Sequence, residues 1–215
     1  MIKKVSIIDY GVGNIRSVRN AISSLGMSVS LTNDKEIIMN SDAIILPGVG
    51  SYTHGMKNLN NLSMPSVINQ YNDSGRPIIG ICLGMQLLFE GSEEFEKTKG
   101  LGLIKGNVRK LKNQSGMPLP HIGWEEVKFL NAETENNFDY FFCHSYVAHP
   151  ENTADIIATS KYGQTSFCAA IQRKNIVGFQ FHPEKSGENG VKLIKQYITK
   201  FEENAQNTLR ITRNS

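Results

Sequence analysis

The stretch Pro77-Ile78-Ile79-Gly80-Ile81-Cys82-Leu83-Gly84-Met85-Gln86-Leu87-Leu88 carries the strongest structural signal in this chain. An apolar run ends at a cysteine that has a glycine two residues before it and another two residues after it. A helical pattern of apolar residues follows at once. Because glycine tolerates sharp backbone turns, the stretch predicts a buried strand, a very tight turn and a helix that begins beneath the turn.

This turn would place Cys82 on a strained corner with its sulfur exposed above a sheet, the geometry of G-x-S-x-G elbows. The N-terminus of the helix beneath it would favour the thiolate, which is the nucleophilic form of cysteine. The backbone N–H of Leu83 would point toward an oxyanion formed there. For this stretch alone, a buried structural cysteine at a strand end is an equally good interpretation.

Composition is that of an ordinary globular protein. The 215 residues are 40% hydrophobic and 20% charged, which suits one α/β domain with a sizeable core. The net charge of +3 is too small to indicate a nucleic-acid partner. A membrane span would need about 18 consecutive apolar residues, and the sequence has no such run.

The cysteine count bears on the redox environment. The chain has three cysteines, Cys82, Cys143 and Cys168, an odd number whose spacings match no zinc pattern. Nothing at the N-terminus resembles a signal peptide. We therefore expect reduced thiols in a cytoplasmic protein, with neither a metal site nor a cofactor.

Strands and helices alternate through the first part of the chain, which predicts a parallel sheet with helices on both of its faces. Asn14 is a good N-cap for the first helix, and Gly26 ends that helix. The predicted strands are residues 5–10, 29–31, 43–46 and 77–81, and later helices are predicted at 66–71 and after Cys82.

From about Gly100, short strand-like runs follow one another without helical spacing between them, so this half should extend the domain with an antiparallel or mixed portion. These runs are residues 106–111, 124–130, 140–147, 156–159, 166–172 and 176–181, with a hairpin joining the last two. A final helix over about 190–201 should complete a single domain of residues 1–203. Residues 204–215 are polar and should fray.

Two other stretches lie where a ligand would bind. Leu46-Pro47-Gly48-Val49-Gly50 follows a predicted strand, and ligands bind at the carboxyl ends of strands in open α/β sheets. A plain connecting turn is the alternative. Gly178-Phe179-Gln180-Phe181-His182-Pro183-Glu184 alternates as a strand and ends on a histidine.

Proline keeps the residue before it extended, so His182 and Glu184 can lie on one side of the backbone. This arrangement suits a general base and the carboxylate that orients it, with Cys82 as the nucleophile. Alone, the His-x-Glu pattern is more typical of a solvated corner. Together with the cysteine turn it favours a catalytic triad.

Several of these stretches resemble a known family. Gly80-Ile81-Cys82-Leu83-Gly84-Met85-Gln86 and Phe181-His182-Pro183-Glu184 are similar to the two signatures of the class I (triad) glutamine amidotransferases. Four more stretches resemble the glutaminase subunits of imidazole glycerol phosphate synthases, from histidine biosynthesis: Asp9-Tyr10-Gly11-Val12-Gly13-Asn14, Leu46-Pro47-Gly48-Val49-Gly50, Pro120-His121-Ile122-Gly123-Trp124 and His144-Ser145-Tyr146. The resemblance covers about residues 4–200. It implies a mostly parallel central sheet flanked by helices, with an added antiparallel or mixed portion.

The resemblance also implies an activity. The cysteine would attack the side-chain amide of glutamine to give a γ-glutamyl thioester and ammonia. Gln86, Ser145 and Tyr146 match positions that hold glutamine in the family. Gly48-Val49-Gly50 matches the oxyanion strand, whose peptide flips on activation in that family. Leu83 would supply the other oxyanion donor.

A partner subunit is implied as well. Ammonia would pass to a separate (β/α)₈-barrel cyclase subunit, with which the chain would form a heterodimer. Asn14, Trp124 and Lys185 match positions at or near that interface.

Two residues depart from the family pattern. Glu125 follows Trp124 where the family usually has asparagine, and Cys143 stands where a β-branched residue is usual. Related glutaminase subunits also serve the amidation of nucleotide-activated surface sugars, and Glu125 keeps that alternative open. A non-catalytic pseudo-amidotransferase is a third interpretation, but such relatives typically lose the cysteine that this chain retains.

Overall fold

The computed structural model describes residues 2–112, 116–130 and 138–213, and side chains through residue 201. The strands are β1 Lys4–Ile8, β2 Ser28–Thr32, β3 Ala43–Leu46, β4 Ile78–Ile81, β5 Phe89–Ser92, β6 Thr98–Lys99, β7 Ile104–Lys110, β8 His121–Phe129, β9 Phe138–His144, β10 Tyr146–Pro150, β11 Ile156–Tyr162, β12 Thr165–Arg173 and β13 Ile176–Phe179. The helices are α1 Ile15–Ser24, α2 Lys35–Met39, α3 Tyr52–Asn61, α4 Met64–Asp73, α5 Leu83–Leu87 and α6 Gly187–Arg213.

A nine-stranded sheet forms the centre of the fold, in the order β2-β1-β3-β4-β13-β12-β11-β8-β9. The five strands from β2 to β13 are parallel, and those from β13 to β9 pair antiparallel. This arrangement confirms the predicted α/β class. It also places the carboxyl ends of β3, β4 and β13 side by side.

Strands β3, β4 and β13 are buried on both faces, as expected when helices cover both sides, whereas the edge strand β2 is largely exposed. In β3, Ala43 and Ile45 pack into the same apolar cluster as α1 and α6, whereas Ile44 and Leu46 pack with α3 and α4. None of the described helices is long and apolar enough to cross a membrane.

Some of the strands outside the parallel part do not extend the large sheet. A second sheet has the order β10-β7-β5-β6. The run predicted as one strand over 140–147 is two strands, because the chain leaves the large sheet at Ser145 and enters the small one. The hairpin predicted between the last two strands is present, with β12 antiparallel to β13.

Four helices differ from the predictions. Helices α2 and α3 were not predicted, although Asp34 and Ser51 cap them with their side chains. Helix α5 is only five residues long, because the chain enters β5 where the helix was expected to continue. Helix α6 continues to Arg213, beyond its predicted end near residue 201. The fraying of residues 204–215 stays a prediction.

Candidate active site

The predicted strand, tight turn and helix are present around Cys82, which lies between β4 and α5 with φ 51 and ψ −110. The two flanking glycines are required because backbones approach them closely. A Cβ on Gly84 would lie 1.7 Å from the Leu46 carbonyl oxygen, and one on Gly80 would lie 2.8 Å from the backbone of Met85. The sequence therefore forces Cys82 into a corner that its own side chain does not favour.

The sulfur of Cys82 is enclosed rather than exposed, contrary to the prediction. The residue is 4% exposed. Its Sγ lies 3.8 Å from the carbonyl oxygen of Cys143 on β9 and 3.8 Å from the amide nitrogen of Gln180, a fully buried residue that follows β13. These two segments cover the thiol, and all three cysteines are free.

His182 and Glu184 form a buried pair beside the thiol. The Glu184 Oε1 atom accepts a hydrogen bond from Nδ1 of His182 at 2.8 Å, and the two side chains are 1–2% exposed. This bond fixes the imidazole tautomer. The remaining nitrogen, Nε2, is buried and has no hydrogen-bond partner among the described residues, so it is available to a reacting group.

The backbone around His182 is also anchored. Its N–H donates to the Phe141 carbonyl at 2.8 Å, and the Ser186 hydroxyl donates to its carbonyl at 2.7 Å. Burial opposes a positive charge on His182, but interactions with Cys82 and with Glu184 outweigh it and raise the pKa of His182 to about 10. A proton leaving the thiol would therefore be held on this imidazole.

The predicted oxyanion segment lies directly against the cysteine turn. A Cβ on Gly48 would lie 2.7 Å from the Tyr10 hydroxyl and 2.8 Å from Cβ of Leu83, so only glycine fits. The Tyr10 hydroxyl donates to the Pro47 carbonyl and holds the segment in place. Gly50 has φ 111, a conformation that favours glycine. Leu83 begins α5, so no helical carbonyl accepts from its N–H.

The predicted glutamine-binding residues meet at the break between β9 and β10. Gln86 is buried on α5, and its amide nitrogen donates to the Tyr146 carbonyl at 2.8 Å and to Oε1 of Gln180 at 3.0 Å. Ser145 and Tyr146 are half-buried beside it. Gln86 thus supports the wall of the site through its amide nitrogen.

Two residues of the site were missed by the sequence analysis. Gln180 belongs to a quoted stretch but was given no role. Glu94 follows β5, is 9% exposed and accepts from the Tyr52 N–H at 2.6 Å. Its charge acts on Tyr146, whose pKa is raised by burial and then by Glu94. No motif in the sequence marks Glu94.

Two of the three predicted interface residues share one surface. Phe141 lies between Trp124, whose ring centroid is 5.9 Å away, and Lys185, whose Nζ lies 5.4 Å from the Phe141 ring. Trp124, the one tryptophan in the sequence, is 54% exposed, which is a high fraction for so large an aromatic side chain. Asn14 precedes α1, and α1 contacts the turn that carries Lys185. Asn14 occupies the predicted N-cap position, but its side chain makes no capping bond within the described chain.

Chemically, the arrangement brings together a cysteine thiol, an imidazole paired with a carboxylate, and a glycine-rich backbone segment, groups that could supply a nucleophile, a base and oxyanion donors. These are the components of acyl transfer through a covalent intermediate.

Comparison with known proteins agrees with this geometry. Residues 6–201 match the family model for glutamine amidotransferase class-I. A crystal structure of a glutamine amidotransferase shares the fold with a TM-score of 0.73 at 18% identity, over 92% of this chain and 97% of that one.

Similar sequences identify a smaller group within this family. The imidazole glycerol phosphate synthase subunit HisH of Aquifex aeolicus is 42% identical over 203 residues, which are 91% of this chain and 96% of that protein. The chloroplastic imidazole glycerol phosphate synthase hisHF of Arabidopsis thaliana is 41% identical over 201 residues, 90% of this chain but 34% of that protein. The chain belongs to the class-I glutamine amidotransferases and, within them, to the HisH subunits of imidazole glycerol phosphate synthase.

Proposed function

We propose that this chain hydrolyses glutamine to glutamate and ammonia, and that it delivers the ammonia to a synthase partner in histidine biosynthesis. The observation that carries the proposal is the position of Cys82 on a strained turn beside the buried His182–Glu184 pair and the segment Gly48-Val49-Gly50. Family membership supplies the substrate and the pathway.

In the proposed reaction, the Cys82 thiolate attacks the side-chain carbonyl carbon of glutamine while His182 holds the proton released by the thiol. Backbone N–H groups of the oxyanion segment and of Leu83 stabilise the oxyanion that forms. The C–N bond then breaks, His182 protonates the leaving nitrogen, and ammonia departs from a γ-glutamyl thioester. Water activated by His182 hydrolyses the thioester, which releases glutamate and regenerates the thiol.

The partner is proposed to be a (β/α)₈-barrel cyclase subunit that binds around Trp124, Lys185 and Asn14, in a cytoplasmic heterodimer. The Arabidopsis relative supports a physical association, because its name joins HisH with HisF and this chain matches only 34% of it. An exposed tryptophan next to a second aromatic ring is a suitable anchor for such an interface.

The alternative function, a glutaminase subunit for the amidation of a nucleotide-activated surface sugar, was based on the departure of Glu125 from the family pattern. Side chains alternate along a strand, so Glu125 lies on the opposite face of β8 from Trp124. Its Oε1 approaches Nε2 of buried His121 at 3.7 Å. The departure from the family pattern therefore lies on a partly exposed side chain on the strand face opposite Trp124, and it gives no support to a different partner.

The test uses the complex of this chain with its barrel partner. Cys82→Ala should abolish synthesis from glutamine but leave synthesis from added ammonium salt unchanged, because the partner performs the later chemistry. Cys168→Ala is the matched control, since it removes a buried free thiol away from the site. Retained glutamine-dependent synthesis in Cys82→Ala would refute the proposal.

A further inference from the structure

Two buried histidines have no role in the reaction described above. His121 on β8 and His144 at the end of β9 are directly opposite each other in the strand register. They are 1% and 6% exposed, and Nδ1 of His121 lies 3.2 Å from Nε2 of His144. Aromatic rings of Phe142 and Phe167 surround both of them.

The direction of their hydrogen bonds follows from the acceptor at one end. Nδ1 of His144 lies 3.0 Å from the Tyr146 carbonyl oxygen, which can only accept. Burial keeps both imidazoles neutral, lowering the pKa of His121 to about 4 and that of His144 to about 3. A neutral imidazole has one N–H, so Nε2 of His144 must accept, and Nδ1 of His121 must donate to it.

The Tyr146 carbonyl connects this pair to the catalytic centre. The same oxygen accepts from the Gln86 amide, which also reaches Gln180, and Gln180 contacts the sulfur of Cys82. At the other end, Nε2 of His121 has no hydrogen-bond partner in the described part of the chain. Glu125 faces that nitrogen from 3.7 Å.

We propose that His121 is a positioning residue for glutamine binding: by donating from Nδ1 to Nε2 of His144 it holds the His144 ring in place, and His144 in turn anchors the main chain at Tyr146. The inference rests on the proposed function. The anchored segment joins the two sheets and carries Ser145 and Tyr146, so a carbonyl that loses one of its two side-chain donors would let this wall of the glutamine site shift.

The decisive comparison is His121→Asn against His121→Leu in the complex with the partner. These replacements have nearly the same shape, but only asparagine offers an N–H where Nδ1 was. His121→Leu should raise the KM for glutamine about tenfold with little change in kcat, and His121→Asn should restore most of the affinity. Synthesis from ammonium salt should be unchanged in both.

Nitrogen NMR of His144 provides a readout that a purely structural role would not change. The wild-type protein and His121→Asn should show Nε2 of His144 as a hydrogen-bonded acceptor, and His121→Leu should show that nitrogen without a hydrogen bond. If His121→Leu fails to fold, His121→Gln replaces it, because its longer side chain puts the amide where Nε2 was.

A donor-free variant that folds but keeps the wild-type KM, or keeps the signal of a hydrogen-bonded Nε2 on His144, would overturn the inference. The two proposals fail differently. Absence of glutamine hydrolysis in the wild-type complex would reject the proposed function, whereas the nitrogen signals would still show whether His121 donates to His144.

Discussion

At the scale of single residues, Cys82 shows how the proposed nucleophile is held. A non-glycine residue with φ 51 and ψ −110 is strained by roughly 1–3 kcal/mol. Two backbone bonds hold it there: its N–H donates to the Phe179 carbonyl at 2.7 Å, and its carbonyl accepts from the Gln86 N–H at 3.1 Å. The strain is therefore borne by the junction of β4, β13 and α5, which keeps the sulfur beside His182.

The first prediction compares the two residues that assist the thiol. His182→Ala should lower glutamine turnover by about 10²–10⁴-fold, because the thiol loses its proton acceptor and the leaving nitrogen its donor. Glu184→Gln should cost less, since an amide oxygen can still accept from Nδ1 of His182. Steady-state glutaminase rates of the complex measure both. A larger loss in Glu184→Gln would show that the carboxylate has a more direct role than orientation.

At the scale of secondary-structure elements, the segment after β3 is held by a side chain from a different loop. Tyr10 reaches it from the loop before α1, and its hydroxyl bonds to the Pro47 carbonyl. The same loop carries Asn14, a proposed partner contact. Movement of this loop on partner binding would thus be transmitted directly to Gly48-Val49-Gly50.

Tyr10→Phe tests this connection. Loss of a hydrogen bond worth about 1 kcal/mol should raise the glutaminase rate of the isolated chain roughly fivefold, because the oxyanion segment becomes freer to rearrange. Tyr71→Phe is the control, since its hydroxyl makes a buried bond to the Ser41 carbonyl, outside the site. Gly50→Pro is not a suitable test of this segment, because Gly50 has φ 111 and proline cannot adopt that angle. An unchanged basal rate in Tyr10→Phe would show that this bond does not restrain the segment.

The elements also show what could be predicted from the sequence. Strands β3 and β4 were predicted almost to the residue, because each is a short run without charged or polar side chains and has a proline at one end. Helix α3 was missed although Tyr52, Met56 and Leu59 have helical spacing, since glycine and asparagines weaken its propensity. The end of α5 was misplaced because its residues are all buried, so its pattern has no polar face to mark where it stops.

The residues of the candidate site also fall into those that the sequence predicts and those that it does not. Cys82, His182 and Glu184 lie in two short motifs, and each motif ends a strand, so their meeting could be predicted from topology alone. Glu94 and the His121–His144 pair depend on contacts between distant segments. Their chemistry is visible only once β5, β8 and β9 are in place.

At the scale of the whole molecule, burial of the histidine pair makes stability depend on pH. The pKa of His121 is lowered to about 4 and that of His144 to about 3, chiefly by burial, against an ordinary value of about 6.5. Below pH 6.5 the unfolded chain therefore binds protons that the folded chain does not, so stability falls as pH falls. His182 has a raised pKa, so its contribution is fully present below pH 6.5 and declines only as pH rises toward its folded value.

The last prediction follows from the direction of this pH dependence of stability. Between pH 6.5 and 5.5, each buried neutral histidine should reduce the free energy of unfolding with a slope that approaches about 1.4 kcal/mol per pH unit. This window lies above the ordinary range of carboxyl groups such as Glu94 and Glu125, whose raised pKa values would act in the opposite direction at lower pH. Urea unfolding at the two pH values, in wild type and His121→Leu, measures the effect. The variant should lose less stability between them, and equal losses would show that His121 is already protonated in the folded protein.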